Sequence, residues 1–178
     1  MRNYGIRTAT RDDIGAARAV MLDTVYRDFG TGYVPQWHGD IIDLEGAYLR
    51  PERHTLLVAV DEEEGGGVVA TAALDSRGPA HPPNPAWIAE RFPSGETAQL
   101  RRVYVRAEHR RRGLARRLVG ELLDFAATAG GYRSVYLHTD PAVPGAEDFW
   151  RSMGKAVLDE REEPGGARVV HFEVAMRV

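Results

Sequence analysis

The sequence predicts a mixed α/β fold built as a single domain over residues 1–178. Segments with strand character alternate with segments of helical periodicity along the whole chain. The apolar run at 55–60 indicates a strand that is buried on both faces. From Leu114 onward, apolar residues recur on one helical face. The predicted order is one strand, two helices, three strands, a helix, a strand, a helix and two final strands, and a chain of this length can bury a substantial core.

The first half of the chain is predicted to form a strand, two helices and a hairpin. Thr10 and Asp13 fit a capping box, in which side chains accept hydrogen bonds from the free amides of a helix start. A loop rich in glycine and aromatic residues follows the first helix, and Pro51 ends the second. An acidic turn with three glycines joins the two strands of the hairpin. The predicted strands are 6–9, 55–60 and 68–74, the predicted helices are 14–25 and 41–49, and the predicted loop is 29–39.

The second half begins with a segment, residues 75–97, in which five prolines predict a long loop without regular structure. Trp87 and Ile88 are expected to anchor this loop. The glycines at 130 and 131 end the long helix that starts at Leu114. The tail alternates between an apolar face and a mixed face, which predicts a strand with a partly exposed His171. The predicted elements lie at 97–105, 114–129, 134–139, 146–153 and 168–176.

The charges are concentrated in one segment. The net charge of the chain is −3, yet residues 101–117 contain eight of its 22 arginines and a single acid, Glu108. That segment therefore carries +7 and the remainder of the chain −10. A cluster of this density is typical of an anion site or of a solvated basic face.

The composition excludes several classes of function. The chain has no cysteine, which excludes a disulfide framework, a cysteine nucleophile and a cysteine zinc site. The histidines and acids show no metal-ligand spacing, so no metal is expected, and His109 is expected to lie on a surface loop. No apolar run approaches the ~20 residues that span a bilayer, and the N-terminus lacks the apolar stretch of a secretory signal. We therefore expect a cytoplasmic protein with no membrane partner.

The segment after the strand at 97–105 has the features of a phosphate site. The first turn of a helix offers four unpaired amides and a partial positive charge, which together favour phosphate. Gly113 allows the backbone to approach a ligand closely, and flanking arginines would add charge-assisted hydrogen bonds. The spacing matches neither a P-loop nor a dinucleotide motif, so it predicts a pyrophosphate cradle of another kind. The residues of this cradle are Arg110, Arg111, Arg112, Gly113, Leu114 and Ala115.

The cradle sequence RRRGLA resembles the Q/R-x-x-G-x-G/A signature of the GNAT (GCN5-related N-acetyltransferase) superfamily. The stretch AEDFWRSMG at 146–154 is similar to the A-x-x-F/L-Y-x-x-x-G motif of the same superfamily. The motifs and the segment between them cover residues 98–154, and the order of elements matches over nearly the whole chain. The resemblance implies the GNAT-like acyltransferase fold, acetyl-CoA as co-substrate, no metal, and direct attack of a primary amine on the thioester.

The resemblance also implies which residues contact acetyl-CoA. The backbone of Val103, Tyr104 and Val105 would pair with the pantetheine arm, and an amide near Val105 would polarise the thioester carbonyl. The amides of the cradle would bind the pyrophosphate. Phe149 and Trp150, in the second motif, are expected to pack beside the pantetheine.

The positions that transfer protons in such enzymes carry other residues here. Gln99 stands where members often have Glu, and it can hold a water molecule but cannot act as a base. Trp150 stands where members often have Tyr, and its N–H does not ionise at neutral pH. Glu96, Tyr104 and His138 are candidate substitutes. Each also has a structural interpretation, as a solvated acid, a packing residue and a hydrogen-bonded strand end respectively.

The loop between the first two helices is the candidate acceptor wall, because it helps to enclose the acceptor in the family that the sequence resembles. Tyr33, Trp37 and His38 lie there beside Asp40, and aromatics next to a carboxylate would suit a cationic amine. Packing of the loop by its own aromatics is the other interpretation. The predicted acceptor is an amine of a small molecule or a peptide, and the sequence does not identify which one.

Two alternatives and one question of assembly stay open. A GNAT-like domain that binds CoA without turnover agrees with Gln99 and Trp150. A nucleic-acid-binding module would use the stripe from Arg101 to Arg117, but no aromatics are interleaved for base stacking, so no nucleic-acid partner is expected. The resemblance allows a homodimer, since many such proteins are dimers, although no interface is legible in the sequence.

Overall fold

The computed structural model describes residues 2–63 and 65–177. The strands are β1 (Tyr4–Thr8), β2 (Thr55–Asp61), β3 (Gly67–Asp75), β4 (Thr97–Val105), β5 (Ser134–Thr139), β6 (Lys155–Asp159) and β7 (Val170–Val174). The helices are α1 (Ile14–Arg27), α2 (Pro35–Ile42), α3 (Ala86–Arg91), α4 (Leu114–Ala129) and α5 (Ala146–Met153). The strands form a mixed sheet in the order β1-β2-β3-β4-β5-β7-β6. The predicted mixed α/β fold is confirmed.

The chain divides into two compact units, and the division falls inside β4 and α4. The first unit comprises the chain up to Asp75 together with Leu100–Phe125. The second unit comprises Ser76–Gln99 and the chain from Ala126 onward. Among the described residues, no helix is long and apolar enough to cross a membrane.

The first unit is built on an antiparallel β1-β2-β3 ladder. Strand β2 is buried along its whole length, as its continuous apolar run predicts. Helix α1 buries one face whose residues recur every three or four positions. The 3₁₀ turn Arg11–Asp13 that leads into this helix confirms the capping box, since the Thr10 amide donates to Asp13 Oδ2 at 2.8 Å. Arg7 also donates to Asp13, and these hydrogen bonds outweigh burial and hold the pKa of the carboxyl well below its usual value.

The second unit is built on β5 and its neighbours. The first three residues of β4 pair in parallel with β5, up to the pair of Gln99 with Tyr136. Strand β7 then pairs antiparallel with both β5 and β6. Gly154 ends α5 beside β7, where a Cβ would lie 2.5 Å from the carbonyl oxygen of Glu173. This close approach of two backbones explains why the second motif ends in glycine.

Three local predictions are wrong. The predicted loop 29–39 contains the first turns of α2, which Pro35 starts because its missing N–H is not needed at a first helical position. The predicted helix 41–49 is split, and Glu45–Leu49 forms a separate π-helical turn. The Pro-rich segment contains α3, in which Ile88 is fully buried but Trp87 is 46% exposed, so only Ile88 anchors the segment.

The burial of His171 also differs from the prediction. Its side chain is completely buried rather than partly exposed. Its Nδ1 lies 2.7 Å from the hydroxyl oxygen of Tyr136, and its Nε2 lies 2.5 Å from Glu160 Oε1. Both ring nitrogens therefore have partners, which removes the usual cost of burying a polar ring.

Candidate active site

The loop between β4 and α4 presents an open row of backbone amides. The backbone φ is 59° at Arg111 and 76° at Gly113. A positive φ is uncommon for a residue with a side chain, such as Arg111. Within the described chain, the amides of residues 111–115 donate no backbone hydrogen bond. A Cβ placed on Gly113 would meet no atom within 4 Å. Free N–H groups at a helix start next to open space form an arrangement that binds phosphate.

The arginines around this loop divide into paired and unpaired groups. The paired arginines contact aspartates of the same unit: Arg101 with Asp75, Arg102 with Asp40, Arg106 with Asp23 and Arg110 with Asp28. Arg111 and Arg112 are exposed, and in residues 2–63 and 65–177 neither forms an ion pair. Four charges of the +7 segment are therefore compensated from outside it, whereas the two arginines directly before Gly113 are not.

His109 and Arg110, which directly precede Arg111 and Arg112, hold the loop in place. Arg110 Nε donates to the carbonyl oxygen of Val105 at 2.8 Å, and its Nη2 donates to the Asp28 carboxylate. His109 is buried, and its Nδ1 lies 2.9 Å from the hydroxyl oxygen of Tyr4. The prediction of a surface His109 is therefore wrong. The Arg110 side chain fixes the loop, whereas the Arg111 and Arg112 side chains are exposed.

Strand β4 changes its environment along its length. Its ladder with β5 uses Thr97, Ala98 and Gln99, and its remaining residues lie beyond that ladder. At Arg102 the backbone takes a φ of 53°, and the Arg102 carbonyl accepts a hydrogen bond from Thr71 Oγ1 at 2.8 Å. Val103, Tyr104 and Val105, the predicted partners of the pantetheine arm, follow this irregularity and are half-buried.

The Arg102 side chain is the centre of a buried hydrogen-bond network in the first unit. Its Nε and Nη2 donate to the two carboxylate oxygens of Asp40 at 2.9 and 2.7 Å. Its Nη2 also donates to the carbonyl oxygen of Trp37 at 2.6 Å, and its Nη1 to the hydroxyl of Tyr104 at 3.2 Å. The Tyr48 hydroxyl donates to Asp40 at 2.5 Å. Arg102 thus joins α2 to the part of β4 that carries Tyr104.

The ionisation of this network follows from its burial and its charges. Burial alone raises the pKa of Asp40, but the hydrogen bonds and charge of Arg102 outweigh it and hold that pKa below its usual value. Burial, and then the charge of Asp40, raise the pKa of Tyr48 well above its usual value. Burial, followed by the charge of Arg102, lowers the pKa of His38. The network therefore contains an ionised Asp40–Arg102 pair beside a neutral tyrosine and a neutral histidine.

The predicted acceptor wall is partly assembled. Tyr33 and Trp37 contact His38, with ring centroids 6.0 and 6.4 Å apart. His38 Nδ1 accepts a hydrogen bond from the Val34 amide at 2.8 Å, which leaves the proton of the neutral ring on Nε2. The Asp40 carboxylate is already paired with Arg102, so the expected attraction of a cationic amine would have to come from the aromatic side chains. The exposed surface of the wall is the indole of Trp37, which is 61% exposed.

Sequence reasoning missed Arg102 and Tyr48 as parts of this site. Arg102 lies in an arginine-rich segment in which its eight arginines look alike. Tyr48 has the spacing of a core residue of a helix. Both residues are distinguished by a contact with Asp40. For Arg102 that contact spans 62 residues of sequence, so no local pattern contains it.

The second unit contains the remaining predicted residues. Gln99 is 3% exposed, and its Oε1 has no hydrogen-bond partner among the described residues. Glu96 is exposed, and its Oε2 lies 3.3 Å from Arg133 Nη1. His138 is exposed, and its Nδ1 lies 3.2 Å from the hydroxyl oxygen of Tyr136. Gln99 and Tyr136 are paired across β4 and β5, so their side chains share one face of the sheet.

The two aromatics of the second motif pack against each other in α5. Phe149 and Trp150 have ring centroids 4.8 Å apart in an edge-to-face arrangement. Trp150 is 8% exposed. In the part of the chain that the structure describes, no group of three or more His, Asp or Glu residues is arranged to hold a metal ion.

Comparisons with known proteins agree on one family. The model of the acetyltransferase (GNAT) family matches residues 21–154. A comparison with curated proteins gives no match. A GNAT-family acetyltransferase of Staphylococcus aureus Mu50 superposes with a TM-score of 0.71 at 13% identity, covering 97% of this chain and 100% of that one.

Two further solved structures have the same fold. The protein yncA of Salmonella typhimurium, described with its cofactor acetyl-CoA, has a TM-score of 0.65 at 16% identity and covers 99% of this chain and 95% of its own. A ribosomal-protein-alanine N-acetyltransferase of Brucella melitensis has a TM-score of 0.65 at 20% identity and covers 95% of this chain and 98% of its own. Because the family match spans both the loop before α4 and the helix α5, this chain belongs to the GNAT family of acetyltransferases.

Proposed function

We propose that this protein transfers the acetyl group of acetyl-CoA to a primary amine of a small molecule or a peptide. One observation carries the proposal: the open row of amides at residues 111–115, beside two arginines without an acidic partner among the described residues. A diphosphate carries several negative charges in a compact volume. Backbone amides, a helix N-terminus and guanidinium groups together bind such a group strongly.

The remainder of the donor follows β4. The backbone of Val103, Tyr104 and Val105 lies beyond the β4–β5 ladder, which supports its pairing with the amide groups of the pantetheine arm. An amide near Val105 would donate to the thioester carbonyl oxygen, where negative charge develops during attack. The amine nitrogen bonds to the carbonyl carbon, the carbon–sulfur bond breaks, and the thiolate takes up a proton as the amine loses one.

Gln99 is the proposed holder of water or of the amine. A buried acceptor left without a partner costs about 1–3 kcal/mol. An N–H of the amine or a water molecule next to Gln99 Oε1 would remove that cost. Among the candidate proton acceptors, Glu96 pairs with Arg133, Tyr104 accepts a hydrogen bond from Arg102, and His138 Nδ1 contacts the Tyr136 hydroxyl.

The acceptor would meet the wall formed by Tyr33, Trp37 and His38. These aromatic faces attract an ammonium or pack against an apolar side chain. The names of two solved structures suggest amines for a first panel, a ribosomal-protein-alanine N-acetyltransferase and a phosphinothricin N-acetyltransferase. We propose a peptide with N-terminal alanine, phosphinothricin and a linear diamine as the first acceptors to assay.

Binding of CoA without turnover is the second candidate function. It is supported by Gln99 and Trp150, neither of which ionises near neutral pH. The nucleic-acid alternative is weakened by the pairing of four arginines with aspartates, since a paired arginine contributes less to a phosphate contact.

Calorimetric titration with acetyl-CoA and with desulfo-CoA tests the donor site. We expect Gly113→Glu to lower the affinity at least tenfold, because it places bulk and negative charge in the cradle. Gly130→Glu is the matched control, since Gly130 has the same φ of 76° and equally open space at the other end of α4. The double variant Arg111→Gln/Arg112→Gln should weaken binding and reduce its dependence on salt. Equal affinities for the Gly113 and Gly130 variants would place the cofactor elsewhere.

Turnover is tested by release of free CoA thiol with the three amines. Acetylation of any of them above the rate of hydrolysis supports the transferase. Micromolar binding of acetyl-CoA without acetylation of any amine in a panel widened to amino acids and polyamines would support the second candidate function instead.

A further inference from the structure

The backbone of Arg102 has an unusual conformation that a neighbouring strand holds in place. Its φ of 53° is unfavourable for a residue with a side chain, and such a conformation persists only where the surroundings impose it. The hydroxyl of Thr71, on β3, donates to the Arg102 carbonyl oxygen at 2.8 Å, and Thr71 is completely buried. Val103, the first of the proposed partners of the pantetheine arm, follows directly. The course of β4 beside the proposed donor site therefore depends on the conformation of Arg102.

The side chain of Arg102 uses most of its donors within the protein. Of the five N–H groups of a guanidinium, two donate to Asp40, one to the carbonyl oxygen of Trp37 and one to the hydroxyl of Tyr104. The side chain is only 9% exposed. Little hydrogen-bonding capacity is left for a ligand, so Arg102 can act on a reaction mainly through the residues that it binds.

The residues that Arg102 binds belong to the proposed sites of both substrates. The Trp37 carbonyl lies on the turn of α2 whose indole is the exposed surface of the acceptor wall. Tyr104 is the central residue of the segment proposed to pair with pantetheine, and its ring packs edge-to-face on Phe29, with centroids 5.5 Å apart. One planar group with a fixed geometry thus joins the acceptor wall to the donor strand within the first unit.

The guanidinium is itself held by a buried carboxylate. Asp40 accepts from Arg102 with both of its oxygens, at 2.9 and 2.7 Å. The Tyr48 hydroxyl donates to the same carboxylate at 2.5 Å, and Tyr48 is 1% exposed. The orientation of Arg102 is therefore set by desolvated partners, which hold a side chain more firmly than solvated partners do.

We propose that Arg102 is a positioning residue for both substrates: its backbone sets the course of β4 beside acetyl-CoA, and its side chain holds Trp37 beside the amine. The inference rests on the proposed transferase function. Misplacement of a reacting group by about 1 Å can lower a rate about 100-fold, so a residue that touches neither substrate can still control the reaction. The two hydrogen-bonded ends of Arg102 make it the connection between the two proposed sites.

Arg102→Lys tests the inference, because it keeps the positive charge opposite Asp40 but loses the planar geometry. We expect the KM for the most active amine and the dissociation constant of acetyl-CoA each to rise at least threefold in protein that circular dichroism shows to be folded. A purely structural residue would lower the folded fraction, and hence the apparent kcat, without changing either constant. Arg101→Lys, at the neighbouring arginine that pairs with Asp75, is the control and should match the wild type.

Thr71→Val is a second and milder variant, which acts on the backbone of Arg102 alone. It removes the hydroxyl that holds the Arg102 carbonyl but keeps the shape of a side chain that is too deeply buried to contact a substrate. We expect the dissociation constant of acetyl-CoA to rise at least threefold and the amine KM to change less. Thr24→Val is the matched control, because the buried Thr24 hydroxyl donates to the Val20 carbonyl oxygen at 2.9 Å within α1.

The outcomes are separable from those of the proposed function. Equal constants in folded Arg102→Lys and Arg101→Lys overturn the inference. Equal acetyl-CoA affinities of Thr71→Val and Thr24→Val overturn it as well, and this comparison does not require Arg102→Lys to fold. A wild type that binds no acetyl-CoA, or that binds it and acetylates no amine, overturns the proposed transferase function instead. Acetylation by the wild type with unchanged constants in both variants leaves that function intact and overturns only the role of Arg102.

Discussion

The Arg102–Asp40 pair provides the sharpest test of how the first unit holds its buried hydrogen-bond network. Both side chains are buried, with 9% and 7% of their surface exposed, and two hydrogen bonds join them. Asp40→Asn keeps the shape but leaves the guanidinium without a counter-charge. Breaking a buried pair in this way costs about 3–5 kcal/mol. We therefore expect the variant to unfold at least about 1 M earlier in urea, at a typical slope of ~1–3 kcal/mol per molar.

The pH dependence of this difference has a defined sign. The pKa of Asp40 is lower in the folded protein than in the unfolded chain, where an aspartate has a pKa of about 3.9. Its stabilisation is therefore complete above the unfolded value and disappears as the pH falls through the folded value. The wild type and Asp40→Asn should differ by a constant amount from pH 5 to 8 and converge in more acidic solution.

A matched exposed pair is available as a control. Arg11 and Glu45 lie 2.8 Å apart, nearly the same distance as in the buried pair, but the Arg11 side chain is 78% exposed. Arg11→Gln should change the free energy of unfolding by less than about 1 kcal/mol. Urea titrations followed by circular dichroism measure all three proteins. If Asp40→Asn loses no more stability than Arg11→Gln, the reasoning about desolvated charge in this network is refuted.

Two further predictions concern the acceptor wall and the second motif. Trp37→Ala should raise the KM for a cationic amine about 2- to 5-fold, as expected for the loss of an exposed cation–π contact of ~0.5–1 kcal/mol, with acetyl-CoA affinity and stability unchanged. Trp87→Ala, which removes another exposed indole, is its control, and an equal KM in both variants would remove Trp37 from the acceptor site. Gly154→Ala should destabilise the protein by about 1–3 kcal/mol in thermal unfolding, because its Cβ would lie 2.5 Å from the Glu173 carbonyl oxygen. Gly67→Ala, whose Cβ would meet no atom within 4 Å, should be close to neutral, and a similar loss in both would show that packing at Gly154 is not the cause.

The elements that the sequence predicts best are those with strong local signals. The bounds of β4, β5 and α5 agree with the prediction, because apolar runs and terminal glycines mark them within a few residues. The helix α3 was missed because prolines dominate its surroundings, although Pro85 stands at its N-cap position, where a proline is tolerated.

The candidate site was predictable where it depends on backbone. The cradle at 110–115 follows from a strand, a glycine and a helix start that are adjacent in the chain. The pairing of the arginines was not predictable, since their partners Asp75, Asp40, Asp23 and Asp28 are 26 to 83 residues away.

The sequence by itself determined the fold class and the family and predicted the candidate phosphate cradle, because each depends on periodicity or on residues that are neighbours in the chain. Only the tertiary structure decided which charges are free and which are compensated. It left Arg111 and Arg112 without an acidic partner among the described residues, neutralised Asp40 and placed His138 in contact with the buried Tyr136–His171 pair. The physical reason is that desolvation and hydrogen bonding act between groups that are close in space, and side chains from distant segments become close only when the chain is folded.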